Sequence, residues 1–272
     1  MKIILSHDTD HMTISEHLFR DLIVPKFIAR AKIELLTGKI SLKEYFNRCL
    51  QLFTNKWQQI QEVIDYHNSL GIKSCFFIGV NNGKGLNYPL SYSKKWIPKI
   101  IEQGFEVGVH GINFQNFESI KSEYDTFKTI SKLDNFGIRM HYLRQNENTF
   151  KNIEKSGYCF DATEHGFKNP YKIGNMWEFP LQVMDGWVMN ENKSYQIRNF
   201  EETKTYSLDK LKKAREADLK YFSILFHDRY FCKSFVTWKN WYCWFVEYLL
   251  NEGYEFTTHQ EAIKELSKTS QN

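Results

Sequence analysis

The sequence predicts an α/β fold with a largely parallel sheet, and three observations predict it. Short apolar runs alternate with helical stretches along the whole chain, the rhythm of parallel strands joined by crossover helices. Histidines and aspartates follow several of those runs directly, where an α/β barrel opens its active face. At 272 residues, 42% hydrophobic and 25% charged, the chain is long enough to bury one large core.

Residues 3–6 read as a buried strand, an apolar run ended abruptly by polar residues. A helical stretch covers roughly 14–36 and breaks near Thr37 and Gly38. A second helix runs from about 41 to 69, with Ser41 and Glu44 as a capping box and Gly71 as its stop. Strands are predicted at 74–78, 105–109, 138–143, 158–160, 177–183, 221–226 and 254–257. Helices are predicted at 91–103, 117–133, 149–155, 207–220, 238–251 and 260–266, with a loop at 81–85 and a frayed tail after 268. No linker or internal repeat divides the chain, so 1–272 is expected to be one domain with a helical insertion at about 12–59. Because the insertion follows the first strand, it should cover the face where the strands end and shape a substrate groove.

Net charge is +4, with basic residues scattered among acidic ones, so nucleic acid is not expected as a partner. The cysteines number five and form no C-x-x-C, which fits reduced thiols. No run approaches the roughly 18 apolar residues of a membrane span. Residues 1–6 lack the apolar core of a signal peptide, so a cytoplasmic protein is expected. Nothing in the chain marks an oligomer.

The polar residues at strand ends carry the chemistry. His7, Asp8 and Asp10 follow the first strand; His110 follows 105–109; His141 lies near the end of the strand that includes Arg139; His227 and Asp228 follow 221–226. In a parallel barrel these clusters converge. Two histidines and a carboxylate with an open position suit a divalent ion, zinc foremost, that polarises a carbonyl and lowers the pKa of a water. A second carboxylate can take a proton and a further histidine can give one to a leaving group. Asp8 and Asp10, two apart on an extended segment, point the same way, so one can bind metal while the other acts as base.

The ordered set of motifs resembles the polysaccharide deacetylase (NodB-homology, carbohydrate esterase 4) superfamily, and within it the WbmS-like branch of bacterial surface-polysaccharide clusters. The resembling pieces are Ser6-His7-Asp8-Thr9-Asp10, Glu106-Val107-Gly108-Val109-His110-Gly111, Arg139-Met140-His141-Tyr142-Leu143-Arg144, Gly157 to Thr163, Phe179 to Asp185, and Leu225-Phe226-His227. The resemblance implies a distorted, incomplete (β/α) barrel of about seven parallel strands. It implies Asp8 as catalytic base, Asp10 and His110 as metal ligands, His227 as general acid, and Arg139 or Arg144 as the arginine that orients the base or binds substrate. Where the family has a second histidine four residues after His110, this chain has Phe114. His141 is the expected replacement ligand and His11 the fallback. His7 is expected behind Asp8 or Asp10, and Asp228 beside His227, both bordering the substrate. The implied activity is metal-dependent removal of an acyl group, N-acetyl foremost, from a sugar of a surface-polysaccharide precursor.

Three other readings compete. Asp8-Thr9-Asp10 is also the D-x-D of glycosyltransferases, but too few residues precede it for a nucleotide-binding half-domain. Asp8 with Asp161 or Asp185 would make a glycoside hydrolase, which needs no histidine-rich site. Phe114 in a ligand position and a 16% aromatic share would suit a carbohydrate-binding relative without activity.

Overall fold

The computed structural model describes residues 1–17 and 22–269. Ten strands form one sheet: β1 (Lys2–Thr9), β2 (Cys75–Ile78), β3 (Glu106–Gly111), β4 (Gly137–Met140), β5 (Phe160–Asp161), β6 (Tyr171–Ile173), β7 (Met176–Glu178), β8 (Val183–Met184), β9 (Tyr221–Leu225) and β10 (Phe256–Thr257). Their order is β6-β7-β5-β4-β3-β2-β1-β9-β8, with β10 beside the start of β1. Every pairing is parallel except β6 with β7. The sheet is strongly curled. In a flat sheet β1 and β4 would lie about 14 Å apart, at about 4.8 Å per strand. Yet Arg139 Nη1 on β4 is 3.0 Å from Asp8 Oδ1 on β1. The result is a distorted, incomplete barrel.

Helices α1 (Ile23–Leu36), α2 (Leu42–Gln51), α3 (Ile60–Ser69), α4 (Leu90–Glu102), α5 (Phe117–Ser131), α6 (Thr149–Ser156), α7 (Asp185–Asn190), α8 (Phe200–Glu216), α9 (Val236–Asn251) and α10 (His259–Thr269) complete the fold. Period-two alternation assigns each strand residue its side. On β1, Ile3 and Leu5 join the main core with residues of α3, α4 and α9. Ile4 instead joins Cys75, Phe77, Phe160 and Phe179 in a second core inside the curl, closed below by Ala262 of α10. Above that inner core the same side of the strands turns polar, with Ser6, Asp8, His110 and Arg139. Phe160 under Gly137 shows how close the packing is, since a Cβ at Gly137 would meet that ring at 2.3 Å.

Several predicted boundaries differ. The predicted helix at 41–69 is two helices, because Trp57 is buried and its backbone N–H donates to the Met12 carbonyl, pinning the intervening turn. The stretch at 14–36 begins as a 3-10 turn at Ser15–His17 and becomes α1 at Ile23; its residues 18–21 lie outside the described ones. The predicted strand at 177–183 is split into β7 and β8 around Pro180, which has no N–H to give a ladder. The strand at 138–143 stops at Met140, because Tyr142 and Leu143 take left-handed φ values of 60° and 52°. α8 starts at Phe200, seven residues early, on a capping box of Asn199 and Glu202.

Asp161 and Glu178 face each other across β5 and β7, both fully buried. Burial raises both pKa values, Asp161 to about 6, and the nearby Asp161 carboxyl helps carry Glu178 well above the ordinary carboxylate range. The native pair therefore keeps a proton that the unfolded chain loses above about pH 4.5, so its contribution to stability falls as pH rises through the folded pKa. Glu178→Gln keeps the shape and an N–H for Asp161. It should raise stability by about 1–2 kcal/mol at pH 8 and by nothing measurable at pH 4, read by urea unfolding at both.

Candidate active site and metal centre

His110 ends up inside the curl on β3, and its ring is set by its neighbours. Its Nδ1 lies 3.1 Å from the Arg139 carbonyl, which can only accept, so Nδ1 carries the proton. Nε2 is left as a lone pair, 3.0 Å from Asp10 Oδ1 and 2.9 Å from His141 Nδ1. His141 is fixed in the same way from the other side: its Nε2 lies 3.0 Å from the Lys84 carbonyl, so Nδ1 is its lone pair. That Nδ1 is 3.3 Å from Asp10 Oδ1. Three acceptor atoms thus face one another at 2.9–3.3 Å with no proton of the neutral rings between them. Donors bound to one divalent ion at about 2.0–2.2 Å stand about 3.0–3.4 Å from each other, so the set fits such an ion. Burial alone would raise the pKa of Asp10, but His141, His110 and His227 pull it well below the usual carboxylate value. Burial works against charge on His110 also, and Asp8 and Asp10 outweigh it to raise that pKa.

Asp8 lies on the same side of β1 as Asp10. Its Oδ1 pairs with Arg139 at 3.0 Å and its Oδ2 lies 3.8 Å from His110 Nδ1. Arg139 is wholly buried and anchored by bonds to the Ala162 carbonyl and Ser6 Oγ, both 2.8 Å, so Asp8 is held in one place. His227, after β9, enters from the other side with Nε2 3.6 Å from Asp10 Oδ2. Its Nδ1 is 2.9 Å from Asp185 Oδ1, and its backbone N–H donates to Asp185 Oδ2 at 2.6 Å. Burial opposes the imidazolium, but Asp185, then Asp10 and Asp8, push the His227 pKa up to about 10. Asp8, Asp10, His110, His141 and His227 all line a cavity of about 660 Å³ that Trp187 also borders.

Three expected site residues lie elsewhere. His7 is on the opposite face of β1, fully buried among His67, Phe76, Phe226 and Tyr242, with Nδ1 2.8 Å from the Phe226 carbonyl. Burial lowers its pKa to about 3, and it serves the core rather than the cavity. Asp228 does not orient His227; it accepts the Gln59 N–H at 2.7 Å, and burial lifts its pKa to about 7. The carboxylate beside the His227 ring is that of Asp185. Arg144 binds the His141 and Ile112 carbonyls at 3.1 and 3.0 Å, joining two loops outside the cavity. Its guanidinium covers the Phe114 ring at 5.2 Å. The fallback His11 turns to His17, with 2.7 Å between Nδ1 and Nε2.

The structure is similar to three solved ones. A protein described as a polysaccharide deacetylase from Mycobacterium smegmatis matches at TM-score 0.66 and 11% identity, over 99% of this chain and 90% of that one. One so described from Pseudomonas aeruginosa PAO1 matches at 0.61 and 10%, over 96% and 88%. PuuE allantoinase matches at 0.60 and 15%, over 95% and 87%. No protein-family model and no curated protein matches the chain. At these identities the likeness is one of fold.

Proposed function

We propose that this chain, which has the polysaccharide deacetylase fold, is a divalent-ion-dependent hydrolase that removes an acyl group, N-acetyl foremost, from a sugar of a surface-polysaccharide precursor. The observation that carries it is the set of three facing acceptors on Asp10, His110 and His141, with Asp8 and His227 on either side. A bound divalent ion, zinc by its donor set, supplies Lewis-acid polarisation of the acyl carbonyl and acidifies water. Asp8 takes the proton of the attacking water, and Arg139 holds its carboxylate toward the cavity. His227 gives the proton that lets the sugar amine leave, and Asp185 keeps it charged and aimed until then. Trp187 and His165, 5.5 Å apart, make an aromatic wall suited to a sugar face. The surface-polysaccharide setting rests on the motif resemblance.

The test is acetate release from a panel of N-acetylated sugars and glycans, with protein as purified, stripped by chelator, and reloaded. Activity should vanish on stripping and return with zinc or another divalent ion. Turnover indifferent to the chelator would sink the reading. Sugar binding without turnover in the loaded protein would replace it with the binding-only one.

A further inference from the structure

A second, smaller cavity of about 170 Å³ adjoins the first; Asp10, Tyr142 and Tyr230 line both. Its size equals about five or six waters at ~30 Å³ each. Among the described residues its charge is one-sided. Arg48 and Glu34 line it but neutralise each other, and Arg48 also binds Glu44 Oε1 at 3.0 Å and the Ser234 carbonyl at 2.7 Å. Among the described residues that line it, the other cations include Arg30, Lys84 and Arg229, and the other carboxylate is Asp10, which His110 and His141 already engage.

Arg229 is the informative one. It is only 6% exposed, and its Nη1 has no hydrogen-bond partner. No ion pair joins it to a carboxylate among the described residues. The rings of Trp57, Phe27 and Phe235 lie 3.6, 5.2 and 5.7 Å from its Cζ. Rings press on the flat face of a guanidinium and leave its N–H edge in need of acceptors. Burying such a charge without a counter-ion is strongly disfavoured unless a ligand brings one. Burial accordingly lowers the Arg229 pKa to about 10.

We propose that this cavity binds the phosphate or diphosphate of the substrate, so that the acylated sugar is presented as a sugar phosphate ester with its acyl group in the larger cavity. An arginine fork beside further cations suits a group of charge −2 or more with several acceptor oxygens. The sugar half of this inference rests on the acyl-sugar reading; the anion half does not. It gives the insertion a role too, since Arg30 comes from α1.

The test is calorimetric titration of chelator-stripped, dialysed protein with inorganic diphosphate. Wild type should bind saturably, and Arg229→Gln should weaken binding by about tenfold or more, the loss of one charge-assisted pair. Arg30→Gln, at an exposed position where folding is safe, should weaken it in the same direction. No saturable binding by wild type, or unchanged affinity in both arginine variants, overturns the proposal. Uridine diphosphate and farnesyl diphosphate, titrated alongside, tell a nucleotide carrier from a lipid one by which exceeds inorganic diphosphate. No turnover is measured, so diphosphate binding without deacylation retires the acyl-sugar reading alone. Deacylation of neutral glycans without diphosphate binding retires this one alone.

Discussion

His110→Ala protein is expected to purify without a divalent ion and to lose roughly three orders of magnitude in kcat/KM, the scale of several kcal/mol of charge stabilisation. His110 Nε2 is the shared vertex of the centre, 3.0 Å from Asp10 and 2.9 Å from His141. Its removal leaves two ligands, too few to keep an ion against dialysis. The fold should survive, because the β3 backbone ladder with β2 and β4 does not involve the ring. Elemental analysis beside wild type decides the point. One ion per chain retained in the variant would mean that His110 is no ligand.

Asp185→Asn is expected to lower kcat by about 10²–10³ with a smaller change in KM, as loss of a correctly charged general acid does. The Asp185 carboxylate does not line the cavity, so on the proposed mechanism it is a positioning residue that acts through Nδ1 of His227. Of the carboxylates that raise the His227 pKa, it contributes most. The sign follows. On the proposed mechanism activity needs protonated His227, so rate should fall on the alkaline side as that proton leaves. With a neutral amide in place of the Asp185 carboxylate, the ring holds its proton less well, and the alkaline limb must move to lower pH. A uniformly reduced profile with its alkaline limb in place would assign Asp185 a purely structural role.

Much of the site is legible in the sequence because strand ends expose whatever follows an apolar run. Asp8, Asp10, His110, His141 and His227 all stand out in that way, and the structure brings them around one cavity. Asp185 shows what stays hidden. It ends the run at 179–184, a visible position, yet its role depends on α7 beginning beside the end of β9, which no local pattern encodes. Asp228 is adjacent to His227 in sequence, but its side chain leaves the 3-10 turn toward Gln59. The placement of His7 is within reach of the sequence itself. The same two-residue period that puts Asp8 beside Asp10 puts His7 on the other face. The barrel's alternation of strands and helices can be read from apolar periodicity, whereas the split of β7 from β8 and the division of α2 from α3 depend on Pro180 and on a tertiary bond from Trp57.

The peptide of Lys84 serves two sites. Its carbonyl orients His141, and the residue borders the smaller cavity. Its neighbour Gly85, at φ +83°, leaves no slack: a Cβ there would come within 2.5 Å of Tyr142 Oη and 3.3 Å of His141 Nε2. An occupant of the smaller cavity that displaced this peptide would move the acceptor that orients His141. Thermodynamic reciprocity fixes the size of the exchange, since whatever factor an anion lends to ion affinity, the ion must lend to the anion. Two dissociation constants measured with and without the second ligand should then form a closed cycle.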